Sequence, residues 1–489
     1  MKKLIYALLL TIILLFLCAN SAAFAQNTET EIPITSASET AVQKYIEART
    51  LSEDFQIAKS LALFNEAITL DPDFALAYAG KAFIAGGFKE STENIDKAVS
   101  LSGNVSVGEK YYIAFIKAFI DGDVIKQHET ADKLMELYPA DKRVLFQMAG
   151  LHYITRAYDE SAEYLKKAIE IDPKFAPAYN LLGYAYAAQN RYPEAEKSLK
   201  TYLSLKPDIP NAYDSYAEIL KLEGKHDESI TQYNIALEKD PQFVYSLMGL
   251  GDNYCLKKDF TKAREYYRKM QEQTTQNVWK YNALYNMSLS YVREGNISEA
   301  LNVLDKRTEI AETNGDIPAV VSSLNAKGFI LAESGDPGKA VASFKKALST
   351  IDNSGLSEDV KKNLSIGTNL NVVYGMTMQN KIEAAQNKLK DVETAALNSS
   401  NLDDVRMLNF VKGTIALKQD KTEQAIEYFG RAGDENPLAW RYEAIALHKR
   451  GDTAKAIELR DKIQTFTRVD LNGTLSVYNF QDLAELEPE

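Results

Sequence analysis

Hydrophobic and small residues recur along most of the chain at helical spacing. Residues 176–209 show the pattern most clearly, at Tyr179, Leu182, Gly183 and Tyr186 and then at Ala195, Leu199 and Tyr202. The first set repeats at i, i+3, i+4 and i+7 and the second at i, i+4 and i+7, so each set lies on one face of a helix. The polar residues between the sets predict a turn, and Pro207 predicts the end of the second helix. The segment is therefore expected to form two amphipathic helices.

The same helix pair returns at a fixed period. Prolines recur every 34 residues, at Pro139, Pro173, Pro207 and Pro241. The residues around them also match, since IEIDPKF ends at Phe175 and LEKDPQF ends at Phe243. A fixed period of this length is typical of repeat proteins, in which each unit buries its hydrophobic face against its neighbours.

The helix pair resembles the tetratricopeptide repeat, a family in which large, small and aromatic residues occupy the positions just described and a proline closes the unit. Tyr179 stands where the family pattern has tryptophan. The resemblance extends along nearly the whole chain after residue 40 and implies about 11 or 12 units. It implies an all-α fold, a right-handed α-solenoid of stacked helix-turn-helix units with a concave inner wall.

The unit length changes along the chain, which predicts two arrays. The 34-residue period indicates about seven repeats over 41–280. Between Gly295 and Gly335 the spacing is 40 residues, so we expect longer repeats in a second array over 281–465. Residues 466–489 are expected to form a C-terminal cap or a tail.

The N-terminus has the pattern of an export signal. Two lysines precede a hydrophobic run over 4–17, and a stretch of small residues ends at Ala25. We expect a signal peptide over 1–25, followed by a flexible leader over 26–40 that is rich in Thr, Ser and Glu. The run is shorter than the roughly 20 residues that span a bilayer, so the mature chain is not expected to cross a membrane. The periplasm is the expected location, with an extracellular location or peripheral attachment to the outer membrane as alternatives.

Charge narrows the choice of partner. The chain has 56 basic and 68 acidic residues, a net charge of −12, which disfavours nucleic acid as a partner. Cys18 and Cys255 are its two cysteines, so a disulfide framework is excluded.

The resemblance implies which residues face the inner wall, where such arrays bind. Positions 2, 5, 9 and 12 of each first helix lie off the face that packs the core. They imply a groove formed by Tyr112, Phe146, Tyr153, Asn180, Tyr184, Asp214, Glu218, Tyr245, Asp252 and Tyr285. This groove would be aromatic toward its N-terminal end and acidic in the middle. Its carboxylates would select a basic or amine-bearing protein segment.

No sequence pattern indicates catalysis. The histidines, at His128, His152, His226 and His448, are far apart, and no H-E-x-x-H, Cys-x-x-Cys or G-x-S-x-G motif is present. Residues 103–108 resemble the start of a phosphate-binding loop, but the lysine comes one position late and the following Ser or Thr is missing, so a helix connection is expected there. We therefore expect no catalytic residue, cofactor or metal ligand, and a protein that is not an enzyme.

The sequence thus favours an exported, non-enzymatic scaffold that binds a protein or peptide segment in its concave groove. One alternative is a structural or chaperone subunit of an envelope or outer-membrane assembly complex, docked through its convex face. Another is a carbohydrate-associated binding protein, which is disfavoured because the chain lacks a lipidation site and large insertions between repeats. The oligomeric state does not follow from the sequence.

Overall fold

A computed structural model describes residues 30–399, 401–433, 435–479 and 481–484. The expected signal peptide over 1–25, residues 26–29 of the leader and residues 485–489 of the tail lie outside this part of the chain. All regular secondary structure in the described residues is helical. None of the helices within those ranges is long and hydrophobic enough to cross a membrane.

The N-terminal helices form hairpin pairs of nearly constant length. They are α1 (Glu39–Glu53), α2 (Ile57–Leu70), α3 (Ala75–Phe83), α4 (Phe88–Leu101), α5 (Val107–Asp121), α6 (Val124–Leu137), α7 (Lys142–Ile154), α8 (Tyr158–Ile171), α9 (Ala176–Ala188), α10 (Tyr192–Leu205), α11 (Pro210–Leu222), α12 (His226–Lys239), α13 (Val244–Leu256) and α14 (Phe260–Gln273). Each pair packs against the next, which makes one continuous core.

The C-terminal helices continue the same arrangement. They are α15 (Asn277–Glu294), α16 (Ile297–Thr313), α17 (Ile317–Glu333), α18 (Pro337–Asp352), α19 (Glu358–Met378), α20 (Ile382–Leu397), α21 (Leu402–Lys418), α22 (Thr422–Arg431), α23 (Pro437–Arg450), α24 (Thr453–Gln464), α25 (Leu471–Tyr478) and α26 (Gln481–Ala484). The pairs from α1–α2 to α23–α24 number twelve, within the expected range. Helix α19 has 21 residues against 13 for α9, which matches the longer spacing in this half.

Small residues allow the two helices of a pair to approach closely. A Cβ atom added at Gly183 would lie 2.6 Å from Cγ of Leu199, on the second helix of the same unit. Gly251 and Gly328 make equivalent approaches to Tyr267 and Phe344. Contacts this short leave no room for a side chain, so the small residues at these positions are dictated by helix packing.

The solenoid curves until units far apart in sequence touch. The Val278 N–H, in α15, donates to the carbonyl of Gly86, in the turn after α3, at 2.8 Å, although the two residues belong to distant units. The Lys206 ammonium lies 2.8 Å from the Asp54 carboxylate, and the Phe55 and Tyr245 rings meet edge to face with centres 5.5 Å apart. These contacts narrow part of the concave side into a partly enclosed space.

Residues 32–37 are not a free leader, in contrast to our expectation of flexibility over 26–40. The Ile32 N–H donates to Asp141 Oδ2 at 3.0 Å. The N–H and hydroxyl of Thr35 donate to the two oxygens of Glu109, at 2.7 and 2.6 Å. Ser36 Oγ and the Ala37 N–H both donate to Asp71 Oδ2. From Ile32 to Ala37 the segment therefore passes from later units to earlier ones, opposite to the order of the units along the chain. Composition did not reveal this, because the anchoring carboxylates belong to other units.

Residues 103–108 form the helix connection that we expected. A short 3-10 turn at Ser102–Asn104 precedes Ser106, which caps α5. The Glu109 N–H donates to Ser106 Oγ, and the Ser106 N–H donates to Glu109 Oε2, which together make a capping box. Glu109 therefore both caps α5 and holds Thr35.

Candidate functional site: the concave inner wall

The first helices of successive units place half of the predicted groove residues around one space. This aromatic cavity has a volume of about 510 Å³ and is lined by Tyr112, Phe146, Asn180, Tyr184 and Tyr245 from the predicted set. Its other aromatic lining residues include Tyr45, Phe55, Phe64, Phe83 and Trp279. The family spacing thus located residues that meet in space, although the role of each stays a prediction.

Segments that the repeat pattern does not describe enclose the aromatic cavity. Ile32 and Ile34, from the segment held by Glu109, lie on one side of it. Gln276 and Trp279, at the start of α15, lie on another side because the solenoid curves back toward α3. The space is therefore formed by long-range contacts as well as by the inner wall.

Polar atoms without partners line the aromatic cavity. Among the described residues, Arg49 Nε, Asn180 Oδ1 and Gln276 Nε2 are buried and have no hydrogen-bond partner. By contrast, Arg143 Nε donates to Glu53 Oε1 at 2.8 Å. Buried polar atoms are almost always paired in folded proteins, so three together in one cavity indicate a place for a polar ligand.

The tyrosines of the aromatic cavity are neutral. Burial raises the pKa of Tyr112, Tyr184 and Tyr245 well above the usual value of 10.0. Their hydroxyl groups are therefore hydrogen-bonding groups on an apolar wall.

The middle of the wall holds the predicted carboxylates Asp214, Glu218 and Asp252 in a buried network. Lys221 lies between two of them, 2.8 Å from Glu218 and 3.4 Å from Asp252. Tyr233 Oη donates to Glu218 at 2.6 Å. We call these four charged residues the acidic cluster.

Each carboxylate of the acidic cluster has a partner within the chain, which corrects the expectation of an open acidic surface. Tyr267 Oη donates to Asp252 at 2.8 Å, and Ser246 Oγ donates to Asp214 at 2.7 Å. Asp214 and Asp252 are only 7% and 8% exposed. Sequence reasoning missed Lys221, although its position three residues after Glu218 on the same helix was a usable signal.

Burial and charge set the protonation of the acidic cluster. Burial raises the pKa of Asp214 to about 7, and it also raises the pKa of Asp252. Burial acts in the same direction on Glu218, but the charge and hydrogen bond of Lys221, together with the Tyr233 hydrogen bond and the Arg468 charge, lower that pKa. Lys221 is therefore the positive charge that Glu218 and Asp252 share within the cluster.

Residues 465–479 lie against the inner wall beside the acidic cluster. Thr467 Oγ1 donates to the Leu222 carbonyl at the end of α11, at 3.0 Å. Arg293, near the end of α15, donates to the Arg468 carbonyl at 2.9 Å and to Thr474 Oγ1 at 3.0 Å. We call residues 465–479 the C-terminal segment; it contacts the first helices of widely separated units.

An arginine of the C-terminal segment lies among acidic side chains. Arg468 Nη1 is 3.0 Å from Glu435 Oε2, which also lies 3.2 Å from Arg156. The charge of Arg468 also contributes to lowering the pKa of Glu218. A basic residue thus reaches this wall from within the chain.

The far end of the C-terminal segment meets a buried charge network. Asn479 Nδ2 donates to Glu333 Oε2 at 2.8 Å, and Arg441 Nη2 lies 2.6 Å from the same oxygen. Tyr442 donates to Glu333 Oε1 at 2.8 Å, and Tyr374 donates to it too. Sequence reasoning missed Glu333, which carried no motif signal. Part of the expected cap or tail over 466–489 is thus packed into the array.

The two remaining predicted residues, Tyr153 and Tyr285, lie outside both clusters. The ring centre of Tyr153 is 5.5 Å from that of Tyr158, and the guanidinium carbon of Arg307 is 5.4 Å from the ring centre of Tyr285. Burial raises the pKa of each tyrosine to about 12. Both contribute to packing along the wall.

Two histidines that are separate in sequence meet in the structure. The His128 and His152 rings have centres 6.0 Å apart, and His152 stacks on Tyr164. Burial and the neighbouring His152 lower the pKa of His128. In the described ranges, no group of three or more His, Cys, Asp or Glu side chains is arranged to hold a metal ion.

Family models agree with the architecture. Models of the tetratricopeptide repeat match residues 155–219, 223–278, 321–353 and 410–466. The chain is a tetratricopeptide repeat protein. Tetratricopeptide repeat arrays present an extended concave surface to other proteins, so the chain is a protein-interaction scaffold.

The curated relatives share parts of this tetratricopeptide array. Superkiller complex protein 3 from Homo sapiens is 30% identical over 21% of this chain and 7% of its own length. Anaphase-promoting complex subunit 3 from Schizosaccharomyces pombe is 21% identical over 62% of this chain and 41% of its own length. The solved APC/C hetero-tetramer Cut9-Hcn1 is 13% identical, with a TM-score of 0.44 over 90% of this chain and 78% of that one. This chain spans less than half the length of the two curated relatives.

Proposed function

We propose that this protein is an exported scaffold that binds a basic segment of a partner protein along the middle of its inner wall. The observation that supports this most directly is the position of the C-terminal segment. Its first residues are held by Leu222 and Arg293, and Arg468 lies at Glu435. A partner segment with an arginine at the equivalent place would find the same acceptor at Leu222, the same donor at Arg293 and the same carboxylate at Glu435.

The C-terminal segment and such a partner would compete. Because the segment is part of the same chain, its effective concentration at the wall is high, of the order of millimolar for a short connection. Removing the ion pair between Arg468 and Glu435 weakens binding of the segment to the wall and so lowers this competition. The ion pair is 40% exposed on the Arg468 side, so its contribution is of the order of 1 kcal/mol, about fivefold in affinity.

The test uses a labelled peptide with the sequence of residues 464–479. We expect weak binding to the unaltered protein and about fivefold tighter binding to the Arg468→Ala variant, measured by fluorescence anisotropy. Arg431→Ala is the matched control, because Arg431 is exposed and pairs only with Glu427 on its own helix in the described structure. Equal affinity for all three proteins would contradict the proposal. So would equal binding of a peptide with Glu at the Arg468 position.

Export is the second part of the proposal and rests on the pattern of residues 1–25. Mass spectrometry of the protein from cells that produce it is expected to give a mature chain that begins at Gln26, recovered in the periplasmic fraction. A chain that keeps Met1 and stays in the cytoplasm would contradict export without affecting the peptide experiment.

Fractionation also addresses the alternative role in envelope assembly. A structural or chaperone subunit would be recovered in a membrane-associated complex of high mass. Recovery as a free periplasmic protein favours the scaffold that binds separate partners.

A further inference from the structure

The aromatic cavity differs from the peptide-binding part of the wall in the kind of ligand that it suits. Its volume of about 510 Å³ lies within the roughly 300–1,000 Å³ of small-molecule sites. Aromatic side chains from distant units surround it, and residues 31–34 together with the start of α15 limit its opening. An extended peptide needs many backbone hydrogen-bond partners, and the few unpaired polar atoms here do not provide them.

The unpaired polar atoms define a small set of interactions. Gln276 Oε1 accepts a hydrogen bond from Trp279 Nε1 at 3.0 Å, which orients the amide so that, in the described structure, Nε2 is a free donor. Among the described residues, Asn180 Oδ1 is a free acceptor, and Arg49 Nε is a free donor on a positively charged side chain. These three groups are complementary to a ligand that carries an anionic acceptor, a neutral acceptor and one donor.

The other charged groups around the cavity are already engaged. Glu53 accepts from Arg143 Nε, and Asp141 accepts from the N–H groups of Ile32 and Arg143, at 3.0 and 2.8 Å. Glu31 is exposed at the edge. Arg49 is therefore the charged side chain in the cavity with a buried donor to offer, and its guanidinium carbon lies 5.5 Å from the Tyr45 ring centre.

We propose that the aromatic cavity binds an acylated amino acid, an amphiphile with an apolar acyl chain, one amide and one carboxylate. The acyl chain lies against the aromatic side chains, and the carboxylate accepts from Arg49. The amide N–H donates to Asn180 Oδ1, and the amide carbonyl accepts from Gln276 Nε2. A site with one charged and two neutral polar contacts on an otherwise apolar wall has the composition typical of small-ligand sites.

The experiment measures binding of N-dodecanoylglycine to the full mature chain. Trp279 lines the cavity, and Trp440 is the second of the two tryptophans, so the Trp440→Phe protein reports ligand entry through Trp279 fluorescence. Calorimetry on the unaltered protein gives the affinity independently. We expect saturable binding of one ligand per chain, with at least about tenfold weaker binding of the methyl ester, which lacks the charge. Dodecanoate, which lacks the amide, is expected to bind more weakly too.

Variants locate the site. Arg49→Met is expected to weaken binding of N-dodecanoylglycine by at least about tenfold and to leave the ester unchanged. Ala85→Phe, which places a ring in the cavity, is expected to abolish binding of both. Arg431→Met is the matched control, since it removes an exposed arginine far along the chain and should change nothing.

Each remaining outcome overturns the proposal. These outcomes are no saturable binding, equal binding of acid and ester to the unaltered protein, or binding that Arg49→Met and Ala85→Phe leave intact. The acid and ester comparison needs no variant, so it holds even if a variant fails to fold. Binding of the peptide of residues 464–479 is a separate measurement on the wall beside the acidic cluster, and its failure leaves the cavity result intact.

Discussion

The aromatic cavity and the acidic cluster are built from the same positions of successive units. Yet the charged groups of the acidic cluster have partners, whereas several polar atoms of the aromatic cavity have none. In the acidic cluster Lys221 contacts Glu218 and Asp252, and the C-terminal segment lies beside them. In the aromatic cavity Arg49 Nε and Asn180 Oδ1 have no partner in the described structure. Position within the repeat thus decides which wall a side chain faces, and long-range contacts decide whether it is free to bind.

The largest expected effect is a difference in stability between a variant that removes a paired charge and a variant that removes an unpaired donor. Lys221→Met leaves the buried Asp252 and the half-buried Glu218 without their counter-charge, so we expect the free energy of unfolding to fall by about 3 kcal/mol. Arg49→Met removes a buried donor at Nε that has no partner, together with the contact between the guanidinium and Tyr45, and we expect a change of about 1 kcal/mol. Urea denaturation followed by circular dichroism measures both. Similar losses for the two variants would show that the two regions do not differ as described.

The pH dependence of stability offers a second contrast. Burial raises the pKa of Asp214 from 3.8 to about 7. Because the folded state binds this proton more tightly than the unfolded state, its contribution is fully present below about pH 4 and is lost as pH rises through 7. The contribution is no more than about 4 kcal/mol, from three pKa units.

Asp214→Asn removes this titration, since an amide does not ionise. The difference in unfolding free energy between the unaltered protein and the variant should shift in favour of the variant between pH 4 and pH 7.5. Asp208→Asn, at a position 96% exposed, is the control and should show no such trend. Parallel pH profiles for Asp214→Asn and the unaltered protein would refute the assignment.

Much of the array follows from the sequence, because its cause is local and periodic. The helix faces and the close approach at Gly183 follow from spacing alone, and so does the gathering of Tyr112, Phe146 and Tyr184 on one wall. The contact between Val278 and Gly86 does not, since it depends on curvature added over many units. Segments without periodicity, such as residues 32–37, give no pattern that names their docking site.

The enclosure of the aromatic cavity can be tested through Thr35. Its N–H and hydroxyl both donate to Glu109, and Thr35→Val removes the hydroxyl donor while leaving the capping box with Ser106 intact. A hydrogen bond to a carboxylate is worth about 1.5–3 kcal/mol, and partial exposure places the expected loss near the lower value. Hydrogen exchange of residues 31–37 should accelerate accordingly. Thr69→Val, whose hydroxyl bonds only within its own helix, should leave those residues unchanged.

The smallest effect is expected where the C-terminal segment lies against the inner wall beside the acidic cluster. Arg468→Ala removes an ion pair that is partly exposed, so the C-terminal segment should lose no more than about 1 kcal/mol of protection. Hydrogen exchange should therefore rise up to about fivefold in residues 465–470, while α25 stays protected because Leu475 is fully buried. Uniform loss of protection through α25 would mean that Arg468 holds the whole segment. In that case, residues 465–479 would open as one cooperative element, and residues 465–470 would not detach separately from α25.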